Sequence, residues 1–249
     1  MRKILLVNHT GMREERVEPQ LRAKGREVDW CFPATGETLP DSQAYEGVVV
    51  FGGYQSANDG SRIGWLGREI DWIAAHVEAG GAYLGICLGS QLLAHALGAR
   101  VARHPAGVNQ IGYYPVTPTA AGAALFPEPP LRVYHWHEEG FAVPRGATLL
   151  ATAEDFPNQA FAYGRAAFGL QFHPEVTPDV LCRWLDAAPD HLQRPGAHAR
   201  EDQLADCARF NGALERWLDG FLDHWLAAAG ESRSLAPAVE PPRAASLNR

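Results

Sequence analysis

The sequence predicts an α/β protein built on a doubly wound, mainly parallel sheet with flanking helices. Short apolar runs alternate along the first part of the chain with segments whose apolar residues recur at helical spacing. Two of these runs, 47–53 and 82–86, end in glycines or lead directly into glycine-rich turns. The 249 residues are 46% hydrophobic and 20% charged, which suits one sizeable, well-buried α/β domain.

The first part of the chain alternates strands with helices. Strands are predicted at 3–8, 27–32, 47–53 and 82–86. The charged stretch 13–24 is predicted as a helix ending at Gly25, and 63–81 carries the apolar stripe of an amphipathic helix. A further helical segment, 91–98, follows the fourth strand. This alternation is typical of flavodoxin- or Rossmann-like sheets, whose ligands bind beyond the carboxyl ends of the strands.

The middle of the chain is richer in strands. Short β-type runs separated by turn residues are predicted at 111–117, 131–137, 147–152, 160–164 and 168–173. We expect them to extend the sheet and to form a small antiparallel layer. Helices are predicted at about 179–188 and 199–229, the second with an apolar face packed on the body of the domain. We therefore expect one domain over residues 1–230 and a disordered tail over 231–249.

Charge and composition disfavour several classes of partner. A net charge of −7 argues against a nucleic-acid backbone as ligand, and no apolar run approaches the length of a membrane span. The four cysteines lie far apart without CxxC spacing, which fits a reducing compartment better than a disulfide framework. The N-terminal apolar run is too short for a signal peptide. We expect a cytoplasmic protein with a small-molecule substrate, bound neither to nucleic acid nor to a membrane.

The stretch from Gly85 to Gln91 combines a nucleophile with a turn from strand to helix. The pattern Gly-x-Cys-x-Gly places Cys87 at a nucleophile elbow, whose glycines let the backbone bend sharply. A helix N-terminus favours the thiolate form of a cysteine. The alternative is a buried structural cysteine, which the two glycines and the strand-to-helix context disfavour. Cys87 is therefore the candidate nucleophile.

A second motif, 169–175, supplies a histidine and a carboxylate. Pro174 favours extended backbone at His173, and in extended backbone the side chains of His173 and Glu175 project to the same side. A histidine beside a thiol can take its proton, and a carboxylate on the far ring nitrogen fixes the tautomer and stabilises the imidazolium. Alone, the motif would more often be a loop with a surface carboxylate. Coupled to a cysteine elbow, it is a candidate base with its orienting group.

The two motifs, GICLGSQLLA and GLQFHPEV, together resemble the class I (triad) glutamine amidotransferases. Other stretches agree with the resemblance: Gly52-Gly53, IGYYPV (111–116), YHWHEEGF (134–141) and PNQAF (157–161). The resemblance covers roughly residues 40–185 and is to a free-standing, GMP-synthetase-like amidotransferase domain.

The resemblance implies a triad of Cys87 as nucleophile, His173 as general base and acid, and Glu175 as orienting carboxylate. The thiolate would attack the side-chain carbonyl of glutamine, and backbone N–H groups of Gly53 and Leu88 would hold the oxyanion. Ammonia would leave, and water would hydrolyse the γ-glutamyl thioester. The resemblance implies no cofactor.

Substrate-binding positions are implied as well. Gly52 belongs to the glycine loop, and Gln91 matches the family's ligand for the substrate amide. The backbone around Trp136, His137 and Glu138 matches the segment that contacts the amino-acid end of the substrate.

Three positions depart from the family pattern. Ser90 stands where many relatives have His, Tyr54 where Pro is frequent, and Glu138 where the corresponding segment usually has Gly. The last matters most, since a side chain there could redirect a backbone N–H that should meet the substrate.

The remaining histidines suggest no metal site. His135 and His137 alternate with aromatic residues on a predicted strand, but no third ligand lies at a suitable spacing. His9, near the end of the first strand, could approach the cleft, although loop histidines satisfied by their neighbours are commoner. His95 is expected to be structural.

Three functions stay open. The leading one is a glutamine amidotransferase that releases ammonia for a separate synthase. The second is a γ-glutamyl hydrolase or peptidase acting on small γ-glutamyl conjugates. The third is a non-catalytic binding or regulatory protein on the same fold, against which the intact triad argues. The chain contains no SGGxDS-like or GxxxxGK[ST] phosphate loop, so we expect it neither to bind ATP specifically nor to make GMP from XMP.

Overall fold

The computed structural model describes residues 3–13, 15–126 and 131–235, the last four of these as helical backbone only. In chain order, the strands are β1 (Lys3–Val7), β2 (Glu27–Cys31), β3 (Gly47–Val50), β4 (Ala82–Ile86), β5 (Val101–Arg103), β6 (Gln110–Pro118), β7 (Leu131–His137), β8 (Glu139–Phe141), β9 (Thr148–Thr152), β10 (Ala160–Tyr163) and β11 (Ala167–Leu170). The helices are α1 (Val17–Ala23), α2 (Gly64–Glu78), α3 (Leu88–Ala96), α4 (Pro178–Ala187) and α5 (Arg200–Leu235).

A nine-stranded sheet forms the centre, in the order β2-β1-β3-β4-β11-β10-β9-β6-β7. The strands from β2 to β11 in this order are parallel, and those from β11 to β7 pair antiparallel. The predicted α/β class is therefore confirmed, and so is the extension of the sheet by the middle strands. A separate two-stranded antiparallel sheet joins β5 to β8.

Two hydrophobic cores lie on opposite faces of this sheet. Successive side chains of a strand point to opposite faces, so Leu6 and Leu84 join a core covered by α4 and α5. Their neighbours Val7 and Tyr83 join a second core covered by α2 and α3. The all-apolar parallel strands reflect burial on both sides.

Several boundaries differ from those predicted. Helix α1 begins at Val17 rather than 13, because the Glu15 carboxylate accepts hydrogen bonds from the Val17 and Glu18 N–H groups at its start. Strand β3 ends at Val50, and 51–53 form a loop. Strands β5 and β8 were not predicted, since each has three residues and pairs only with the other.

Helix α5 packs along the first core, as predicted from its apolar stripe. Leu218, Leu222 and Trp225 are fully buried, and Trp225 Nε1 donates to the Ala166 carbonyl at 3.2 Å. The tail predicted over 231–249 is wrong at its start, because 231–235 continue the helix. The rest, 236–249, lies outside the described residues. Among those described, no helix combines the length and apolar character needed to span a membrane.

Candidate active site

Cys87 occupies a sharp turn between β4 and α3. Its backbone has φ 51° and ψ −107°, and in the described part of the chain it is the one non-glycine residue with positive φ. Such a conformation costs of order 1–3 kcal/mol and persists only where the surroundings enforce it. The turn holds the thiol beyond the carboxyl end of β4, directly before the first residue of α3.

The glycines of the elbow are required by close backbone contacts. A Cβ at Gly89 would lie 2.0 Å from the Val50 carbonyl oxygen, and one at Gly85 would lie 2.4 Å from the Gly89 oxygen. The first turn of α3 therefore packs directly on β3 and β4. This explains why the thiol is flanked by glycines on both sides.

We predict that Gly89→Ala lowers the free energy of unfolding by about 1–3 kcal/mol or more, because the backbone must move to admit the methyl group. The matched control is Gly220→Ala within α5, where a Cβ meets no atom within 4 Å. There, alanine should stabilise the helix by up to about 1 kcal/mol. Urea denaturation of both variants measures the difference. Equal stabilities would show that the elbow tolerates a side chain.

His173 reaches Cys87 because β11 lies beside β4 in the sheet. The Cys87 N–H donates to the Leu170 carbonyl at 2.8 Å, which aligns the ends of the two strands. Three residues after Leu170, the His173 N–H donates to the Tyr134 carbonyl at 2.7 Å. His173 Nδ1 and Glu175 Oε1 are 2.7 Å apart, and both side chains are almost fully buried.

The electrostatics of this pair favour an imidazolium. Burial lowers the pKa of His173, but Glu175 and Cys87 raise it more, to about 10. Nε2 of His173 is buried and has no hydrogen-bond partner among the described residues, and the nearby Cys87 thiol is one of the groups that raise the pKa of His173. The ring of Trp184 packs edge-on against His173 at 5.0 Å. The arrangement can hold a thiolate–imidazolium pair shielded from water.

The glycine loop after β3 closes the other side of the thiol. A Cβ at Gly52 would lie 3.0 Å from His173 Cε1 and 3.6 Å from Cys87 Cβ. The N–H groups of Gly53 and Leu88 donate to no other group in the described part of the chain. Leu88 is the first residue of α3, and the N–H groups of the first turn of a helix have no partner within the helix. Both are available to an anion beside Cys87.

All ten residues predicted for the site line a single cleft of about 540 Å³. They are Gly52, Gly53, Cys87, Leu88, Gln91, Trp136, His137, Glu138, His173 and Glu175. Nε2 of Gln91 donates to the Glu139 carbonyl at 2.9 Å, which ties α3 to the segment after β7. The Trp136 carbonyl oxygen lies 4.0 Å from Cys87 Sγ. Strand pairing thus brings both halves of the predicted site together.

The three departures from the family pattern have distinct surroundings. Glu138 is partly exposed and pairs with Arg103 at 2.6 Å and Arg194 at 3.2 Å, so its side chain is held at the rim of the cleft. Ser90 is buried and donates to the Cys87 carbonyl at 2.6 Å, which braces the elbow. Tyr54 is 85% exposed beside the glycine loop.

The pair His135 and His137 is buried and hydrogen-bonded internally. His135 Nδ1 and His137 Nε2 are 3.1 Å apart, and His137 Nδ1 donates to the Glu139 carbonyl at 2.9 Å. Burial lowers the pKa of His137 to about 3, so it stays neutral. Within the described residues, no three His, Cys, Asp or Glu side chains are grouped closely enough to hold a metal ion.

Sequence analysis noted that His9 could approach the cleft, but it missed the partner of His9 and the aromatic ring packed on His173. His9 is buried against Gly52 and pairs with Glu69 on the buried face of α2. Trp184 of α4 packs on His173, but the apolar stripe of α4 predicts only that this helix packs on the core. The signal for His9 was its position two residues after the end of β1, at the ligand-binding edge of the sheet.

Comparison with known proteins identifies the family. The family model for glutamine amidotransferase class-I matches residues 15–182. The glutamine amidotransferase-like protein YfeJ of Salmonella typhimurium is 37% identical over 172 residues, covering 64% of this chain and 69% of that protein. A GMP synthase (glutamine-hydrolyzing) of Aeropyrum pernix is 32% identical over 207 residues, or 78% of this chain but only 38% of the synthase.

Solved structures show the same fold. A glutamine amidotransferase of Thermotoga maritima superposes with a TM-score of 0.82 at 33% identity, covering 90% of this chain and 98% of that one. A second, from Methylobacillus flagellatus, has a TM-score of 0.83 at 23% identity, covering 93% and 95% of the two chains, and supports the fold alone. The strand order, the cleft at the carboxyl ends of the strands and the family match lead to one assignment: this chain belongs to the class I glutamine amidotransferases.

Proposed function

We propose that the protein hydrolyses the side-chain amide of glutamine through a γ-glutamyl thioester on Cys87. The observation that carries the proposal is the juxtaposition of a strained cysteine elbow with the buried His173–Glu175 pair. In thiol hydrolases, strained backbone presents the nucleophile to the substrate, and a histidine oriented by a carboxylate activates that nucleophile. A purely binding protein on this fold would need neither.

In the first step, the Cys87 thiolate attacks the amide carbon, and a carbon–sulfur bond forms as the carbonyl π electrons move to oxygen. The N–H groups of Gly53 and Leu88 are free to donate to that oxygen. Donors of this kind act mainly in the transition state, where the negative charge develops.

In the second step, the His173 imidazolium donates its Nε2 proton to the departing nitrogen, and the carbon–nitrogen bond breaks to release ammonia. The 2.7 Å contact with Glu175 keeps Nδ1 protonated, which directs Nε2 toward the reacting atoms. Neutral His173 then takes a proton from water, which hydrolyses the thioester to glutamate and restores the thiolate.

The residues around the cleft are proposed to bind the substrate. The backbone of Trp136 through Glu138 would contact its amino-acid end, and Gly52 would line the reacting carbonyl. Gln91 would order the nearby backbone, because its amide nitrogen already bonds the Glu139 carbonyl. The ion pairs of Glu138 hold its carboxylate at the rim, where it leaves room for the substrate.

We expect ammonia release to fall on the alkaline side with an apparent pKa near 10. His173 is protonated below that pKa, which Glu175 and Cys87 raise, and deprotonation above it removes the proton needed by the leaving group. Replacing the charge in Glu175→Gln should move this alkaline limb to lower pH. The pH dependence of kcat for both proteins measures the shift. An identical limb in the two would exclude His173 as the titrating group.

The ammonia is proposed to serve a separate synthase. The support is the relative from Aeropyrum pernix, which by its name couples glutamine hydrolysis to GMP synthesis and of which this chain matches 38%. A cytoplasmic location would follow from such a partner. The substrate that accepts the ammonia would be bound by that partner and not by the cleft of this chain.

A second candidate, hydrolysis of γ-glutamyl conjugates, is favoured by the size of the cleft. Its volume of about 540 Å³ lies in the range that takes drug-sized ligands, well above the needs of a free amino acid. The leaving group departs beside His173, where Trp184 and Val180 also line the cleft. An amine with an apolar substituent would be accommodated there.

One assay separates the two candidates. Purified protein is incubated with glutamine and with γ-glutamyl peptides or anilides, and ammonia, amine and glutamate are quantified. Ammonia and glutamate in equal amounts from glutamine support the leading proposal. A much larger kcat/KM for the conjugates would support the second. Turnover of neither, with Cys87 intact, would contradict both.

A further inference from the structure

His9 and Glu69 form a buried ion pair that touches the glycine loop but takes no part in the proposed steps. Both side chains are fully enclosed. Nε2 of His9 lies 3.0 Å and 3.1 Å from the two carboxylate oxygens of Glu69. A buried ion pair is weak support for stability alone, since apolar residues of similar volume often stabilise a core as well. The pair therefore calls for a role in the site it touches.

The other ring nitrogen of His9 holds the backbone of the loop. Nδ1 lies 3.1 Å from the Gly52 carbonyl oxygen, and because a carbonyl only accepts, Nδ1 is the donor. Burial lowers the pKa of His9, but Glu69 and the carbonyls of Gly52 and Phe51 raise it more. The imidazolium is favoured, and both ring nitrogens donate.

Peptide geometry carries this contact across to the cleft. The Gly52 carbonyl and the Gly53 N–H belong to one planar trans peptide, in which the two bonds point in opposite directions. With the carbonyl directed at His9, the N–H is directed away from His9, and the loop it belongs to lies beside Cys87. A peptide between two glycines rotates more freely than any other. It therefore needs an external anchor to keep one orientation.

The His9 ring is itself held on its edge and its face by α2. Trp65 and Glu69 are one helical turn apart and so lie on the same face of the helix. The Trp65 ring stacks on His9 at 5.7 Å with an interplanar angle of 25°. His9 Cβ also comes within 2.9 Å of where a Cβ on Gly53 would lie. The anchor is thus rigid and in direct contact with the loop.

We propose that His9 is a positioning residue for the oxyanion hole. By holding the Gly52 carbonyl it keeps the Gly53 N–H aimed at the reacting carbonyl oxygen, and Glu69 keeps His9 in place. The inference rests on the proposed function, because it takes Gly53 as an oxyanion donor.

Two substitutions separate the contacts of His9. The amide nitrogen of asparagine can stand near the position of Nδ1, and that of glutamine near the position of Nε2. His9→Asn should therefore keep the bond to Gly52, whereas His9→Gln should keep the contact with Glu69 and lose the anchor. We expect His9→Gln to lower kcat about tenfold to a hundredfold with little change in KM, because an oxyanion donor acts in the transition state. His9→Asn should retain most of the activity.

Alkylation of Cys87 by iodoacetamide serves as a second readout, because a general loss of structure around Cys87 would change its rate. The alkylation reaction develops no oxyanion on a carbonyl, so the alkylation rate should be unchanged in His9→Gln. The matched control is His76→Asn, which by the same geometry loses the bond from another buried histidine, through Nε2, to a backbone carbonyl, that of Ala82 at 2.9 Å. It should lower the melting temperature without a selective loss of kcat.

Crystal structures of wild type and His9→Gln give a readout besides activity. The Gly52–Gly53 peptide should be rotated, or in two orientations, only in the variant. The inference would be overturned if the peptide were not rotated in the variant. It would also be overturned if, in both His9 variants, kcat, the alkylation rate and the melting temperature all fell together. Absence of amide hydrolysis in wild type would instead reject the proposed function, and the crystal comparison would still decide whether His9 orients the peptide.

Discussion

Cys87→Ser is expected to lower ammonia release by about a thousandfold or more while the protein stays folded. A serine hydroxyl is far less acidic than a thiol and a much weaker nucleophile once paired with a histidine base. The substitution changes little volume at a buried position and leaves the elbow backbone unaltered. The loss should therefore lie in kcat rather than in stability.

The measurement is kcat for ammonia release, with the melting temperature recorded on the same samples. Cys182→Ser is the matched control, since it makes the same chemical change at a half-buried cysteine of α4. It should retain full activity. If Cys87→Ser kept a large share of wild-type turnover, Cys87 could not be the nucleophile, and the thioester would have to be abandoned.

The elements that sequence predicted well are those whose burial is periodic. The parallel strands are buried on both faces and appear as continuous apolar runs, such as 47–50 and 82–86. Strands β5 and β8 show no such run, because they pair only with each other at the edge of the fold. The end of α5 was placed too early because the apolar stripe stops near Ala229, although helix formers continue the backbone hydrogen bonds to Leu235.

The candidate site was predictable where a residue with a reactive side chain lies at the end of a predicted strand. Cys87 follows directly on the predicted strand 82–86 and His173 is the last residue of the predicted strand 168–173, so both fall at the ligand-binding edge. That β4 and β11 are neighbours is a property of the topology, which periodicity does not contain. The His9–Glu69 pair joins residues 60 positions apart, and a glutamate on an amphipathic helix looks the same in sequence whether it is solvated or buried.

The largest effects outside Cys87 are expected at His173 and Glu175, and they should be graded. His173→Ala should lower kcat by about a hundredfold to ten-thousandfold, because both proton transfers of the proposed mechanism pass through Nε2. Glu175→Gln should be milder by roughly tenfold or more, since an amide oxygen can still accept from Nδ1 but no longer supplies the charge that raises the pKa of His173.

The grading follows from where each group lies relative to the reacting atoms. In the proposed mechanism His173 exchanges protons with Cys87 and the leaving group, whereas Glu175 contacts only the far ring nitrogen at 2.7 Å. Steady-state kcat and the rate of Cys87 alkylation are measured for both variants, with His224→Ala on the exposed side of α5 as the control. Alkylation should slow in His173→Ala, because the imidazolium that stabilises the thiolate is gone. Near-wild-type turnover in both variants would remove the His-Pro-Glu segment from the mechanism and leave Cys87 to react through another base in the cleft.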